Sequence, residues 1–263
     1  MMDLGLENNS ALVLASSSGL GKASAEALAK EGANVTINGR DTEKLKKTKK
    51  ELNGSTNGEI NIVAGDITKK EDISKIVEKT VKEQNGLDHL VTCAGGPPSK
   101  QFLETEDEDW YENFDLLVMS VVRVVRESME YLKEGQGTIV NITSMSVKEA
   151  VPNLVLSNSV RMSVIGLMKT LSKELGPDIR ANSVLPGPHK TGRIKELIEV
   201  EVKKGNIDSY DEGLQAWKED IPLDRIGKPE ELGDLVAFLS SPRSSFINGV
   251  AIPVDGGGSS SNL

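Results

Sequence analysis

The chain is poor in the residues that cross-link or coordinate. It has one cysteine, two histidines and nine large aromatic side chains (four Phe, two Trp, three Tyr) in 263 residues. A lone Cys93 excludes an internal disulfide and fits a reducing, cytoplasmic compartment. One Cys and two His, far apart in sequence, give no legible metal site. No lysine run is interleaved with aromatics, and the net charge of −9 argues against nucleic acid or an anionic membrane as partner. No apolar run approaches the roughly 20 residues of a membrane helix. The opening "MMDLGLENNS" lacks the basic and apolar regions of a signal peptide, so none is expected. There is no internal Pro/Gly/Ser-rich linker and no repeat, which predicts one domain over 1–263.

What is present alternates. Short β-branched runs at 11–15, 34–38, 60–65, 87–94, 137–143, 179–185 and 250–254 read as strands. Segments with helical spacing separate them, at 22–32, 42–52, 70–86, about 107–133, 155–175 and 229–241. Residues 191–220 read as one or two helices with a charged face, and the tail 256–263 as flexible or packed in an oligomer interface. Nearly continuous apolar strands alternating with helices predict an α/β fold. Its parallel sheet would be covered by helices on both faces.

The first strand runs into "ASSSGLGKA" (15–23), a small-residue turn at a strand–helix junction. Gly19 and Gly21 let the backbone approach a phosphate, and the helix N-terminus offers unpaired N–H groups. A plain tight turn would also need glycines, but the position at the first β–α junction favours a dinucleotide. The second strand ends Asn38-Gly39-Arg40, with no carboxylate before Asp41. An acidic residue there would hold a ribose 2′-hydroxyl, whereas an arginine accommodates a 2′-phosphate. NADP(H) is therefore favoured over NAD(H). Asp66 ends the third strand, either as a helix N-cap with Thr68 competing, or as the partner of an adenine amino group.

Several stretches together resemble the short-chain dehydrogenase/reductase family, and within it the β-ketoacyl carrier-protein reductases. They are the loop at 15–21, "GDI" (65–67), "LVTCAG" (90–95), "GTIVNITS" (137–144), "RANSVLPGPHKT" (180–191), "IPLDRIGKPEE" (221–231) and "VDGG" (254–257). The resemblance covers nearly the whole chain in order. It implies a three-layer, doubly wound Rossmann fold, a nicotinamide cofactor and a homotetramer. It also implies that the cofactor is lined by Ala15, Ser17, Gly19, Leu20, Gly21, Arg40, Asp66, Ile67, Cys93, Ala94, Gly95, Arg161, Pro186, Gly187, His189 and Thr191. Ala15 replaces the family's first loop glycine, a small-for-small change expected to be tolerated. Thr92-Cys93-Ala94-Gly95 replaces N-N-A-G.

The larger departures fall on the family's four catalytic positions. Aligned on "VIGL" (164–167), the Tyr position is Ser157 and the Lys position Arg161. The Ser position is Ser144, retained, and the Asn position is Leu117. Serine is a far weaker acid than a tyrosine phenol, arginine does not give up a proton near neutral pH, and leucine forms no hydrogen bond. The usual proton path is absent. Arg161 could lean into the volume the phenol vacates, facing Ser144, to stabilise an alkoxide or bind a carboxylate. Alternatively, it pairs with the ribose or a nearby carboxylate. His189 as proton donor is disfavoured, because the family uses that position through its backbone. Residues 191–220 would form a substrate lid, where Trp217, Ile198 and Leu214 either close over a substrate or bury against the body. Two readings stay open. One is an oxidoreductase acting on a small carbonyl or alcohol by an altered mechanism. The other is a non-catalytic nucleotide-binding sensor or partner subunit.

Overall fold

A computed structural model describes residues 3–262. Among these residues seven strands form one sheet: β1 Ser10–Val13, β2 Asn34–Gly39, β3 Ile60–Ala64, β4 His89–Thr92, β5 Thr138–Ile142, β6 Arg180–Pro186 and β7 Ala251–Val254. Their spatial order is β3-β2-β1-β4-β5-β6-β7, and every pairing is parallel. The order reverses between β1 and β4. A crevice opens at such a switch point beyond the C-terminal ends of the strands.

Alternation along each strand feeds two apolar layers. On β1, Ala11 and Val13 face one layer, while Leu12 faces the other. The first layer is closed by α1 (Gly19–Lys30), α2 (Thr42–Asn53) and α9 (Pro229–Ser240) through Leu28, Leu45 and Val236. The second is closed by α3 (Lys70–Gln84), α5 (Ser120–Glu134) and α6 (Val155–Glu174) through Ile76, Val124 and Val164. A strand covered on both faces must be apolar on both, which is why these runs read as continuous rather than alternating.

Two boundaries depart from expectation for physical reasons. The helix expected over 107–133 is α4 (Asp107–Phe114), a π-helical turn at Asp115–Met119, and then α5. The wide turn carries Leu117, 3% exposed, to which the family resemblance gives the asparagine position. The fourth strand is shorter than 87–94: pairing stops at Thr92, so Cys93 and Ala94 lie in the loop beyond it. Residues 191–220 contain two helices, α7 (Gly192–Lys203) and α8 (Tyr210–Glu219). The tail folds back, with Ser260 N–H donating to Glu149 Oε2 at 3.0 Å.

Candidate active site

A cavity of about 650 Å³ occupies the switch point. Its floor is the turn after β1. Gly19 holds φ +60°, and a Cβ at Gly21 would lie 2.7 Å from the Ala15 carbonyl oxygen, so α1 can start this close only on glycine. Ser18 caps α1 without a side-chain hydrogen bond, leaving the first-turn N–H groups to face the cavity. Ala15 itself holds φ +47°. The substitution expected to be tolerated therefore sits in a left-handed backbone that a Cβ disfavours.

Asn38 fixes this turn from β2. Its Oδ1 accepts from Ala15 N–H at 3.3 Å, and its Nδ2 donates to Val63 O at 3.1 Å. Ser16 Oγ accepts from Asn38 N–H at 3.0 Å, and Thr48 Oγ1 donates to Ser17 O at 2.9 Å. Arg40 lines the cavity at the end of β2, and Lys44 Nζ donates to Ser18 Oγ at 3.2 Å from α2. One end of the cavity is thus cationic and has no carboxylate on β2 to oppose it.

The structure brings Ala15, Ser17, Gly19, Leu20, Gly21, Arg40, Ile67, Cys93, Ala94, Gly95, Ser144, Ser157, Arg161, Pro186, Gly187, His189 and Thr191 to this one cavity. Asp66 is the exception. Its neighbours Gly65 and Ile67 line the wall, whereas its carboxylate accepts from Thr68 N–H at 3.0 Å and Thr68 Oγ1 at 2.8 Å. Those bonds hold its pKa below the ordinary carboxylate value. Neither residue caps α3; that position is Lys69.

At the other end, Ser144 Oγ accepts from Ser146 N–H at 3.1 Å, which leaves the Ser144 hydroxyl proton available to a ligand. Ser157, 4% exposed, shares a 2.9 Å hydrogen bond between its Oγ and that of Ser146. Arg161 lies one helical turn on and is 7% exposed. It lines the same cavity as Ser144. Its Nη2 donates to Gly95 O at 3.4 Å, and Nε has no hydrogen-bond partner. No carboxylate pairs with it among the described residues. Burial lowers its pKa to about 10, so it remains a cation at neutral pH. A second cavity, of about 10 Å³, lies behind it and is lined by Leu117, Asn141 and Thr143.

His189 Nδ1 lies 3.0 Å from Gly187 O, and burial lowers its pKa. A neutral ring that donates from Nδ1 carries no proton on Nε2. Cys93 is a free thiol whose pKa burial raises. From the lid, Trp217 lines the cavity. Ile198, at 1% exposure, sits instead beneath α8, its Cγ2 2.7 Å from where a Cβ on Gly213 would be. Sequence reasoning missed Ser146 and Arg193. Arg193 donates from Nη1 to Glu196 Oε1 at 2.9 Å and from Nη2 to Pro97 O, tying the start of the lid to the loop after β4.

A parallel sheet with a glycine turn and a cationic wall at its switch point defines a dinucleotide-binding α/β protein. The family described as enoyl-(acyl carrier protein) reductase matches residues 14–259. The chain belongs to the short-chain dehydrogenase/reductase family, on its β-ketoacyl carrier-protein reductase-like branch. It is 32% identical over 261 residues to an uncharacterized oxidoreductase of Bacillus subtilis, covering 97% of this chain and 98% of that protein. It is 33% identical over 258 residues to the 3-oxoacyl-[acyl-carrier-protein] reductase of Aquifex aeolicus, covering 97% and 99%. Among solved structures, L-sorbose reductase from Gluconobacter frateurii, complexed with NADPH and L-sorbose, superposes with a TM-score of 0.93. The identity is 30%, over 99% of this chain and all of that one.

Proposed function

We propose that this protein is an NADP(H)-dependent oxidoreductase of the cytoplasm. It interconverts a small carbonyl compound and its alcohol without the Tyr–Lys proton path. The observation that carries the reading is the wall at the end of β2, where Arg40 and the nearby Lys44 stand and no strand carboxylate does. A 2′-phosphate would be held there, its pyrophosphate on the N–H groups of Gly19, Leu20 and Gly21, and its nicotinamide end near Gly187 and Thr191. The cradle fits, since a Cβ on Gly21 would collide with backbone while Gly19 meets only the far Thr191 at 3.8 Å. When bound, the nicotinamide supplies hydride chemistry.

The protein's own groups then have distinct work. Ser144, its oxygen already accepting from Ser146 N–H, donates a hydrogen bond to a substrate oxygen and keeps its proton. Arg161 supplies fixed positive charge within the cavity, where developing negative charge is stabilised more than in water. Ser157 is tied to Ser146 and is too weak an acid to protonate an alkoxide. The proton comes from water entering the open side. Helices α7 and α8 act as the lid, with Trp217 facing the cavity.

The replaced positions also support a second reading, a nucleotide-binding sensor or partner subunit that does not turn over. Calorimetric titration with NADPH and NADH, followed by NADPH oxidation with ketones and 3-oxoacyl thioesters, separates the two. NADPH binding with turnover supports the first, and binding without turnover on any of them the second. Failure to bind either nucleotide overturns both. The assembly is proposed to be a homotetramer. Exposed Tyr111 and Phe114 on α4 and Met162 on α6 provide apolar surface for it.

A further inference from the structure

The charged residues lining the large cavity are Arg40, Arg161, Arg193 and Glu196. In a chain of net charge −9 this is a concentrated positive surface. Glu196 is engaged by Arg193 at 2.9 Å. Arg40 lies at the far end, at the close of β2. Arg161 is left as a buried cation in the cavity that Ser144 and Ser157 also line. Among the described residues its hydrogen bond is to Gly95 O at 3.4 Å, longer than a well-formed one, and its Nε is unpartnered. A buried charge without a counter-ion is costly and is retained where something compensates it. A nicotinamide ribose would offer it neutral acceptors but no counter-charge.

Beside this cation the side chain is short. Ser157 turns its hydroxyl to Ser146, so it does not cover the guanidinium with a phenol. Ser144 lines the same cavity with a donor available. A planar guanidinium fork matches a carboxylate, and a neighbouring hydroxyl donor matches a carbonyl oxygen.

Resting on the reading of this cavity as an oxidoreductase substrate site, we infer that its substrate is a small oxo acid, or the corresponding hydroxy acid. Its carboxylate is received by Arg161 and its carbonyl oxygen by Ser144. The substrate class is thus set by the arginine that stands where a lysine was expected. The ionised carboxylate supplies the counter-charge that Arg161 lacks among the described residues.

The test uses the full chain and 2-oxobutyrate, with methyl 2-oxobutyrate as its neutral counterpart and inorganic phosphate as a generic anion. Binding is followed by calorimetry and by thermal shift, with and without NADPH. The acid is expected to bind at least about tenfold more tightly than the ester, a preference of one charge-assisted pair. Phosphate should not match it. Arg161→Met should lose the preference, and Arg161→Lys should keep part of it. Equal binding of acid and ester, equal binding of phosphate, or an undiminished preference in Arg161→Met overturns the inference. The comparison of acid with ester on the unaltered protein stands even if a variant does not fold. NADPH binding is read in its own titration. Its failure would sink the cofactor assignment, whereas an acid–ester difference in the nucleotide-free protein would still show the carboxylate site.

Discussion

The hydroxyl of Ser157 lies 2.9 Å from that of Ser146, on the segment that follows β5, and is 4% exposed. Ser157 thus stands in a closed pair, its hydroxyl engaged within the protein. If Ser157 holds the proton-donor position, as the family resemblance implies, its own hydroxyl is already satisfied and a phenol placed there would be a new acid.

Restoring the acid should therefore restore chemistry. Ser157→Tyr combined with Arg161→Lys is expected to raise kcat/KM for NADPH-dependent reduction of a neutral ketone by about 100-fold, the lower range of general acid catalysis. Leu117, 3% exposed on the π-helical turn, limits the gain because it offers no hydrogen bond to a relay water. A folded double variant with no gain on any ketone would show that more than the proton path has been lost.

The cationic wall gives a second prediction. Arg40→Asp removes a guanidinium and installs the carboxylate that would suit a free 2′-hydroxyl. The ratio of NADPH to NADH affinity is expected to fall by roughly 10- to 100-fold, the range for losing a charge-assisted hydrogen bond. Fluorescence titration of both nucleotides checks it. An unchanged ratio would make Arg40 an ordinary surface residue.

Much of this was legible in order and pattern. Strands covered on both faces are apolar throughout, and the glycine turn is written in residue types. The rest depends on dihedral angles and long-range approach. Ala15 reads as one small residue in place of another, yet its φ of +47° makes the difference matter. Ser146 has no motif of its own and gains its role by turning toward Ser157 across a loop. Arg193 reads as one charge in a charged lid, but the chain carries it to Pro97, 96 positions away. Asp66 had two roles that spacing could not separate, and its carboxylate is engaged by Thr68.

Ala15 supplies a third prediction. An L-residue in the left-handed region costs about 1 kcal/mol or more relative to glycine. Ala15→Gly is expected to stabilise the protein by about 1 kcal/mol, read as a higher urea midpoint at constant slope. A lower midpoint would mean that the alanine methyl contributes packing that outweighs the backbone strain.

The acid limb of stability should trace to His89. It is 4% exposed, with Nε2 2.9 Å from Asn9 Nδ2 and Nδ1 2.9 Å from Thr138 Oγ1. The amide of Asn9 donates, so Nε2 accepts and the neutral ring carries its proton on Nδ1. Burial is the main reason its pKa falls from 6.5 to about 4; Asp88 opposes the fall and Arg180 assists it. Between those two pH values the unfolded chain binds a proton that the native state refuses. Native stability is therefore lost as pH falls through this window, by at most about 3 kcal/mol, and this contribution levels off below it. His89→Gln keeps a donor and an acceptor but does not titrate. It is expected to be less stable than the parent at pH 7 and to show a flatter decline between pH 6.5 and 4. Urea unfolding of both proteins across that range checks it, and parallel declines would assign the acid sensitivity to other groups.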